Sequence, residues 1–312
     1  MSTQINGNDL IEIGYKEGAI LGAALKINKK RTGYNREDML VHYKRILENP
    51  AAYLDNKVFG KLATAMIEEA NAPVKEVIAL NEQPVVYAIF GIEHIEDGAK
   101  AQMDVAMRLP VTVAGALMPD AHQGYGLPIG GVLATKNAII PYGVGVDIGC
   151  RMALTVFDIP EAHFYANEDM YKTALIKHTK FGAGHGFHGQ YKADHAVLDS
   201  SDFNATPFIK QLHDKAYSQL GSSGGGNHFV EWGIIEFDAR DAALNIEKGR
   251  YLALLTHSGS RGFGATIAGH YTQLAKSLCN LPFEDKNRAY LDLNSEAGQE
   301  YWTAMNLAGD YA

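Results

Sequence analysis

The chain has 312 residues, of which 46% are hydrophobic, 21% charged and 10% aromatic, and its formal net charge is −8. Its mass is 34.0 kDa, its pI about 5.8 and its mean hydropathy −0.15. This much apolar material offsets the ordering entropy of most of the chain and excludes wholesale disorder. No uninterrupted apolar run approaches the roughly 20 residues of a bilayer span. The start, Met1-Ser2-Thr3-Gln4-Ile5-Asn6, lacks the charged opening and apolar core of a secretion signal, so a cytoplasmic setting with no membrane partner is expected. The acidic balance argues against sequence-blind polyanion binding over the whole surface. Two cysteines, Cys150 and Cys279, exclude a disulfide framework.

The first third reads as mostly helical. Apolar residues recur at helical spacing near 15–30, 36–48 and 57–70, with Asn35 placed to cap the second helix and with turn signals at Gly33 and Asn49-Pro50. Lys26, Lys29, Lys30, Arg31 and Arg36 form one basic cluster, read as a solvated helix face and turn. Pro84–Phe90 is a compact run of strand formers and is expected to be a buried strand. A helix near 97–108 and a strand over Val111–Met118 follow. From 119 to 150 glycine becomes dense. Strands are expected near 131–140, 152–158, 228–236 and 250–256, and helices over 166–180, over 206–220 and just after Gly262. There is no internal repeat and no clear linker, so one interleaved α+β domain is expected. Over 295–312, Tyr301, Met305, Ala308 and Tyr311 recur on one helical face, and no closing glycine or proline follows. An apolar face left without a partner there suggests a truncated chain.

Four segments carry chemistry. In Asp147-Ile148-Gly149-Cys150, a carboxylate and a thiolate can aim at one point, and a thiolate can bridge two ions. A capped turn with a core thiol is the blander reading. In Gly224-Gly225-Gly226-Asn227-His228-Phe229-Val230-Glu231, three glycines admit close backbone approach. A strand beginning at His228 puts His228 and Val230 on one face and Asn227, Phe229 and Glu231 on the other. The imidazole can ligate metal while Asn227 and Glu231 offer hydrogen bonds; a hairpin with a surface histidine is the alternative.

His257 ends an apolar strand, and Ser258, Ser260 and Arg261 after it can hold phosphate oxygens. Asp120 and His122, two apart, suit an acid–base pair, orienting partners of a ligand, or ordinary loop hydrogen bonding. Gly184–Gly189 fits a bare G-x-G-x-x-G, but no clear strand precedes it and no helix follows, so it is read as a flexible loop despite His185 and His188. There is no Walker A motif, no H-E-x-x-H and no paired C-x-x-C. His42, His94, His178 and His213 are read as chemically idle, and Cys279 as a core thiol.

Taken together, MPDAHQGYGLPIGG, IIPYGVGVDIGCRM, GGGNHFVE and HSGSRG, in this order, closely resemble the RtcB family of GTP-dependent RNA-splicing ligases. The resemblance is specific from about Ala114 to Gly264 and looser to the end, where AMNLAGDYA is similar to a family helix. It implies an RtcB-like α+β domain with mixed sheets and a metal centre in glycine-rich loops. The chain then divides into a helical part at 1–80, a metal and guanylate core at 111–265 and terminal helices at 266–312. The activity implied is the joining of RNA 2′,3′-cyclic phosphate or 3′-phosphate ends to 5′-hydroxyl ends, using GTP and two Mn²⁺ through a guanylylated histidine, in tRNA splicing or RNA repair.

Carried over, Asp147, Cys150 and His228 match the ligands of one metal, and Cys150 and His257 those of the second. Asn227, His228, Phe229, Val230 and Glu231 match the guanylate strand, with Glu231 at the guanine edge, and Asp120 matches a catalytic acidic residue near the metals. The donor set by itself suits Zn²⁺ at least as well as Mn²⁺. An archease-like activator is a further implied partner. Arg151 stands where the family usually has glycine. The family's additional ligating histidine and its His-Gly-Ala-Gly-Arg nucleophile loop are missing from this sequence. Two other readings therefore stay open: a catalytically silent or split-half metal- or RNA-binding fragment, and a metal-dependent cyclic phosphoesterase.

Overall fold

The computed structural model describes residues 5–16, 18–29, 35–71 and 76–312. The chain forms two compact units, Met1–Lys75 and Glu76–Ala312. The first contains α1 (Gly7–Glu12), α2 (Ala19–Lys29), α3 (Arg36–Glu48) and α4 (Gly60–Asn71). Asn35 caps α3 as expected, its side chain accepting from Glu37 N at 3.0 Å. Leu10, Tyr43, Ile46 and Leu62 are buried at its centre, and Tyr43 meets Tyr15 and Phe59 edge-on. Arg36 of the basic cluster pairs with Asp9 at 2.6 Å, while Lys30, Arg31 and Gly33 lie outside the described residues.

The second unit is mixed α/β with several small sheets. Strand β1 (Ala88–Ile89) pairs parallel with β2 (Thr112–His122), and α5 (Asp97–Ala106) lies between them in sequence. Strand β3 (Ile129–Thr135) pairs antiparallel with β2. The strand expected over Pro84–Phe90 shortens to the two residues of β1. The one expected over 131–140 is broken after Thr135, because Asn137 takes a φ of 51°, a left-handed turn no strand tolerates. The chain resumes in β4 (Ala138–Ile139), which pairs with β8 (Leu291–Asp292) near the far end of the sequence. Then come α6 (Pro141–Val144), β5 (Arg151–Phe157), α7 (Glu161–Ala166), α8 (Glu168–His178), α9 (Pro207–Lys210), α10 (His213–Gln219), β6 (Phe229–Phe237), β7 (Gly249–Ser258), α11 (Arg261–Leu278) and α12 (Glu296–Tyr311).

The third sheet has the order β5-β7-β6, with both outer strands antiparallel to the central β7. This fixes where the chemistry lies. The residues that precede β5 and β6 and those that end β7 share one edge of the sheet: Arg151 opposes Ser258, and Phe229 opposes His257.

Behind the sheet edge, α11 and α12 supply the core. Tyr271 stacks near Tyr301 at 5.1 Å, Phe263 meets Tyr311 at 5.2 Å, and Tyr311 Oη donates to Ala216 O at 2.8 Å. Tyr301 and Ala308 are fully buried and Tyr311 nearly so. The expectation of an unpartnered terminal face is thus corrected: that face is covered by α11 and α10 within the same unit. A 3.6-residue period reveals an apolar stripe but not what lies across from it. No helix among the described residues is long and apolar enough to cross a membrane.

Candidate metal centre

Cys150 lies in the loop just before β5, His228 just before β6, and His257 near the end of β7. Cys150 Sγ is 3.1 Å from His257 Nε2 and 3.7 Å from His228 Nε2. His228 Nε2 is in turn 2.8 Å from Asp147 Oδ2. The thiol and the two imidazole nitrogens lie within 4.8 Å of one another. Tetrahedral coordination with metal–sulfur bonds of about 2.3 Å and metal–nitrogen bonds of about 2.0 Å separates ligand atoms by about 3.5 Å, so these donors fit around a cation.

The local sequence explains each placement. Ile148 is buried in the core and anchors the Asp147–Cys150 turn, which Cys150 N closes onto Asp147 O at 3.3 Å. Gly149 has a φ of 73°, and a Cβ there meets Ala312 Cβ at 3.1 Å and Gly309 Cα at 3.2 Å, so α12 backs the turn. Gly259 leaves room for the Asp147 carboxylate: a Cβ on it would fall on both carboxylate oxygens.

Backbone carbonyls orient both imidazoles. His257 Nδ1 is 3.1 Å from Arg151 O, which leaves Nε2 as a lone pair facing the thiol. His228, whose side chain is only 4% exposed, has Nδ1 2.8 Å from Ser223 O and 2.7 Å from Arg261 Nη1. These contacts accommodate either tautomer of the ring. With Nε2 protonated, the ring donates to Asp147 and accepts from Arg261. With Nδ1 protonated, it donates to Ser223 and offers Nε2 to a cation. Arg261 also donates to Ser223 O at 2.9 Å, and holds this position from a left-handed backbone of φ 55°. In the metal-free protein, partial burial and then the Asp147 carboxylate push the Cys150 thiol up to about 11, against the opposing pull of Asn227 and Arg261.

The expectation that Asn227 and His228 face opposite sides of a strand is corrected. Strand β6 begins only at Phe229, and the φ of 76° at Gly226 sits in the turn before them. Freed from strand alternation, both neighbours reach the cluster, with Asn227 Nδ2 3.2 Å from His257 Nε2. The Phe229 ring lies 5.6 Å from that of His257. Val230 lines a cavity of about 310 Å³ together with Thr256, Ser258 and Arg261. Glu231 is exposed on β6. Asp120 is not drawn into the cluster; it lies on β2 beside Gly130, and His122 Nδ1 contacts its carbonyl at 2.9 Å.

A second cavity of about 400 Å³ opens beside the donors, lined by Asp147, Asn227, His228, Gln219 and the segment Gly182–His185. His185, set aside in the sequence as part of a glycine loop, therefore borders the site, and His178 borders the neighbouring cavity. The density of histidine between glycines was the available signal. Cys279 is buried, as expected of a core thiol.

A mixed α/β fold that brings one thiol, two carbonyl-oriented imidazoles and a carboxylate to a single sheet edge defines a protein with a candidate metal centre. The family described as tRNA-splicing ligase RtcB matches the chain at residues 102–206 and 204–312, more than half of its length, and the protein belongs to that family. It is 30% identical over 256 residues to RNA-splicing ligase RtcB of Escherichia coli K12, covering 76% of this chain and 59% of that protein. It is 29% identical over 244 residues to RNA-splicing ligase RtcB homolog 1 of Entamoeba dispar (66% and 45%). It is 27% identical over 253 residues to the tRNA-splicing ligase RtcB of Archaeoglobus fulgidus (70% and 52%). The chain spans about half the length of the curated relatives it matches.

Proposed function

We propose that this chain carries the metal-binding part of a GTP-dependent RNA ligase that joins 3′-phosphate or 2′,3′-cyclic phosphate ends to 5′-hydroxyl ends. The observation that carries the reading is the convergence of Cys150, His228, His257 and Asp147 in a chain of the RtcB family. In this reading Asp147, Cys150 and His228 hold one divalent cation, and Cys150 and His257 contribute to a second, Mn²⁺ in the working enzyme. Bound there, two cations neutralise phosphate charge and align attacking and leaving oxygens.

The residues of the chain do the rest of the local work. Asn227 Nδ2 is a hydrogen-bond donor at the rim of the donor set, suited to a guanylate phosphate oxygen. Phe229, Val230 and Glu231 continue from it along β6, with the exposed Glu231 carboxylate available to a guanine edge. Arg261 donates to Ser223 O, the same carbonyl that receives His228 Nδ1–H when Nε2 is offered to a cation. Asp120 is assigned a catalytic role by the family motif alone. The covalent step needs the nucleophilic histidine loop of the family, and an archease-like activator belongs to the same proposal. Two free cysteines, Cys150 and Cys279, suit a reducing cytoplasm.

The test is ligation of RNA bearing 3′-phosphate and 5′-hydroxyl ends with Mn²⁺ and GTP, using the chain supplemented with the C-terminal half of the Escherichia coli relative. Product that depends on GTP and disappears with Cys150→Ala supports the reading. Hydrolysis of a 2′,3′-cyclic phosphate without GTP, with no joined product, replaces it by a phosphoesterase. Full ligation by Cys150→Ala contradicts it.

A further inference from the structure

Resting on the RNA-ligase reading, we infer that the exposed segment from Lys177 to Tyr191 is the surface that holds single-stranded RNA beside the metal centre. In a chain of net charge −8, this stretch contains no aspartate or glutamate; it carries two lysines, three histidines and three aromatic residues. After α8 ends at His178 it forms no long helix or strand. Phe181 is 44% exposed and Tyr191 57%, so two rings of the segment are open to stacking by a ligand.

The segment is strapped to the site at its root. Ser223 N donates to Lys180 O at 2.8 Å, and Gly182 N donates to Gly224 O at 2.7 Å, which ties it to the loop that ends in Asn227 and His228. Gly182–His185 then line the 400 Å³ cavity shared with Asp147 and His228, while His178 and Thr179 line the 310 Å³ cavity on the other side. Lys180 and Phe181 thus sit between two openings that both reach Arg261. A strand of RNA whose end occupies the donor cluster can leave along this segment, which borders both openings.

The chemistry fits that occupant. Unpaired bases stack on exposed aromatic rings whatever their identity, and lysines neutralise the phosphates between them. A protein partner would not need a stretch free of carboxylates, whereas a phosphate backbone does.

The test is fluorescence anisotropy with a labelled, 3′-phosphorylated oligoadenylate of about 12 nucleotides, within the span such surfaces cover, using the full chain in Mn²⁺. Phe181→Ala and Tyr191→Ala are each expected to weaken binding about 5- to 150-fold, the range of one base–ring stack. Lys180→Ala is expected to lower the slope of log Kd on log salt by about 0.7, one phosphate contact on a single strand. Phe181→Leu keeps the apolar bulk without the ring, so a loss shared with Phe181→Ala and an unchanged melting temperature assigns the effect to stacking. Tight RNA binding by the wild type that all these variants retain, with the same salt slope, overturns this surface and leaves the ligase reading standing. No RNA binding by the wild type at about 50 mM salt, where phosphate contacts are least screened, overturns the reading on which the surface rests, and the surface with it.

Discussion

His228 Nε2 and Asp147 Oδ2 lie 2.8 Å apart although 81 residues separate them in the chain. The pair exists because β5 and β6, each antiparallel to β7, start at the same edge of the sheet where β7 ends. Replacing Asp147 by Asn keeps the shape and a hydrogen bond but removes the charge. Divalent-metal affinity measured by calorimetry is expected to fall by about 100-fold or more, beyond the usual cost of a mere outer partner. Unchanged affinity would remove Asp147 from the donor set.

Metal binding is also expected to depend steeply on pH. The Cys150 thiol of the metal-free protein sits up at about 11, through burial first and Asp147 second, so a cation has to displace its proton at any physiological pH. Apparent affinity is then expected to rise about tenfold per pH unit from this thiol alone between pH 6 and 9. Cys150→Ser is expected to bind more weakly. A flat wild-type profile over that range argues that the thiol is not a ligand.

Gly259 is a packing test of the same geometry. A methyl group at this position falls on the Asp147 carboxylate. Gly259→Ala is expected to weaken metal binding while Gly225→Ala, which has open space around its Cβ, leaves the fold intact. Equal metal affinity in Gly259→Ala and wild type would show that Asp147 can move aside without cost.

The α11–α12 core gives a stability test. Tyr301 is fully buried and its hydroxyl has no hydrogen-bond partner among the described residues. Tyr301→Phe is expected to stabilise the fold by about 1 kcal/mol, the penalty of an unpaired buried polar group. Burial also raises the phenol of Tyr271 to about 12, and lifts those of Tyr301 and Tyr311 above their ordinary value. Folded values above the unfolded value near 10 mean that their contribution is whole below about pH 10 and is lost as pH rises past it. Thermal melting from pH 8 to 11 should therefore show a drop that Tyr301→Phe reduces; an identical drop in both proteins would contradict the assignment.

Much of this was legible in the sequence, and the misses have physical causes. Period-3.6 patterns located α3 and α12, and runs of strand formers located β5, β6 and β7 to within a residue or two. The segments carrying Asp147, Cys150, His228 and His257 stood out because they combine glycine with ligand-type side chains. The joint orientation of Asn227 and His228 was hidden, since it depends on where β6 begins and on the backbone at Gly226. The carbonyls of Ser223 and Arg151 that set the imidazoles carry no side-chain signature. His185 read only as part of a flexible glycine loop, because the fold alone brings that loop against Asp147 and His228. The two-residue pairing of β4 with β8 joins positions too distant in the chain for any local pattern to reveal.

The most direct test of the metal centre is absorption spectroscopy during titration of the metal-free chain with Co²⁺. Thiolate coordination gives an intense near-ultraviolet sulfur-to-cobalt band, and tetrahedral geometry gives strong visible bands. Both are expected in the wild type, with the thiolate band abolished by Cys150→Ser and the visible bands weakened by His257→Ala. Cobalt bound without a thiolate band, or a band that survives Cys150→Ser, would contradict a centre built on Cys150, His228 and His257.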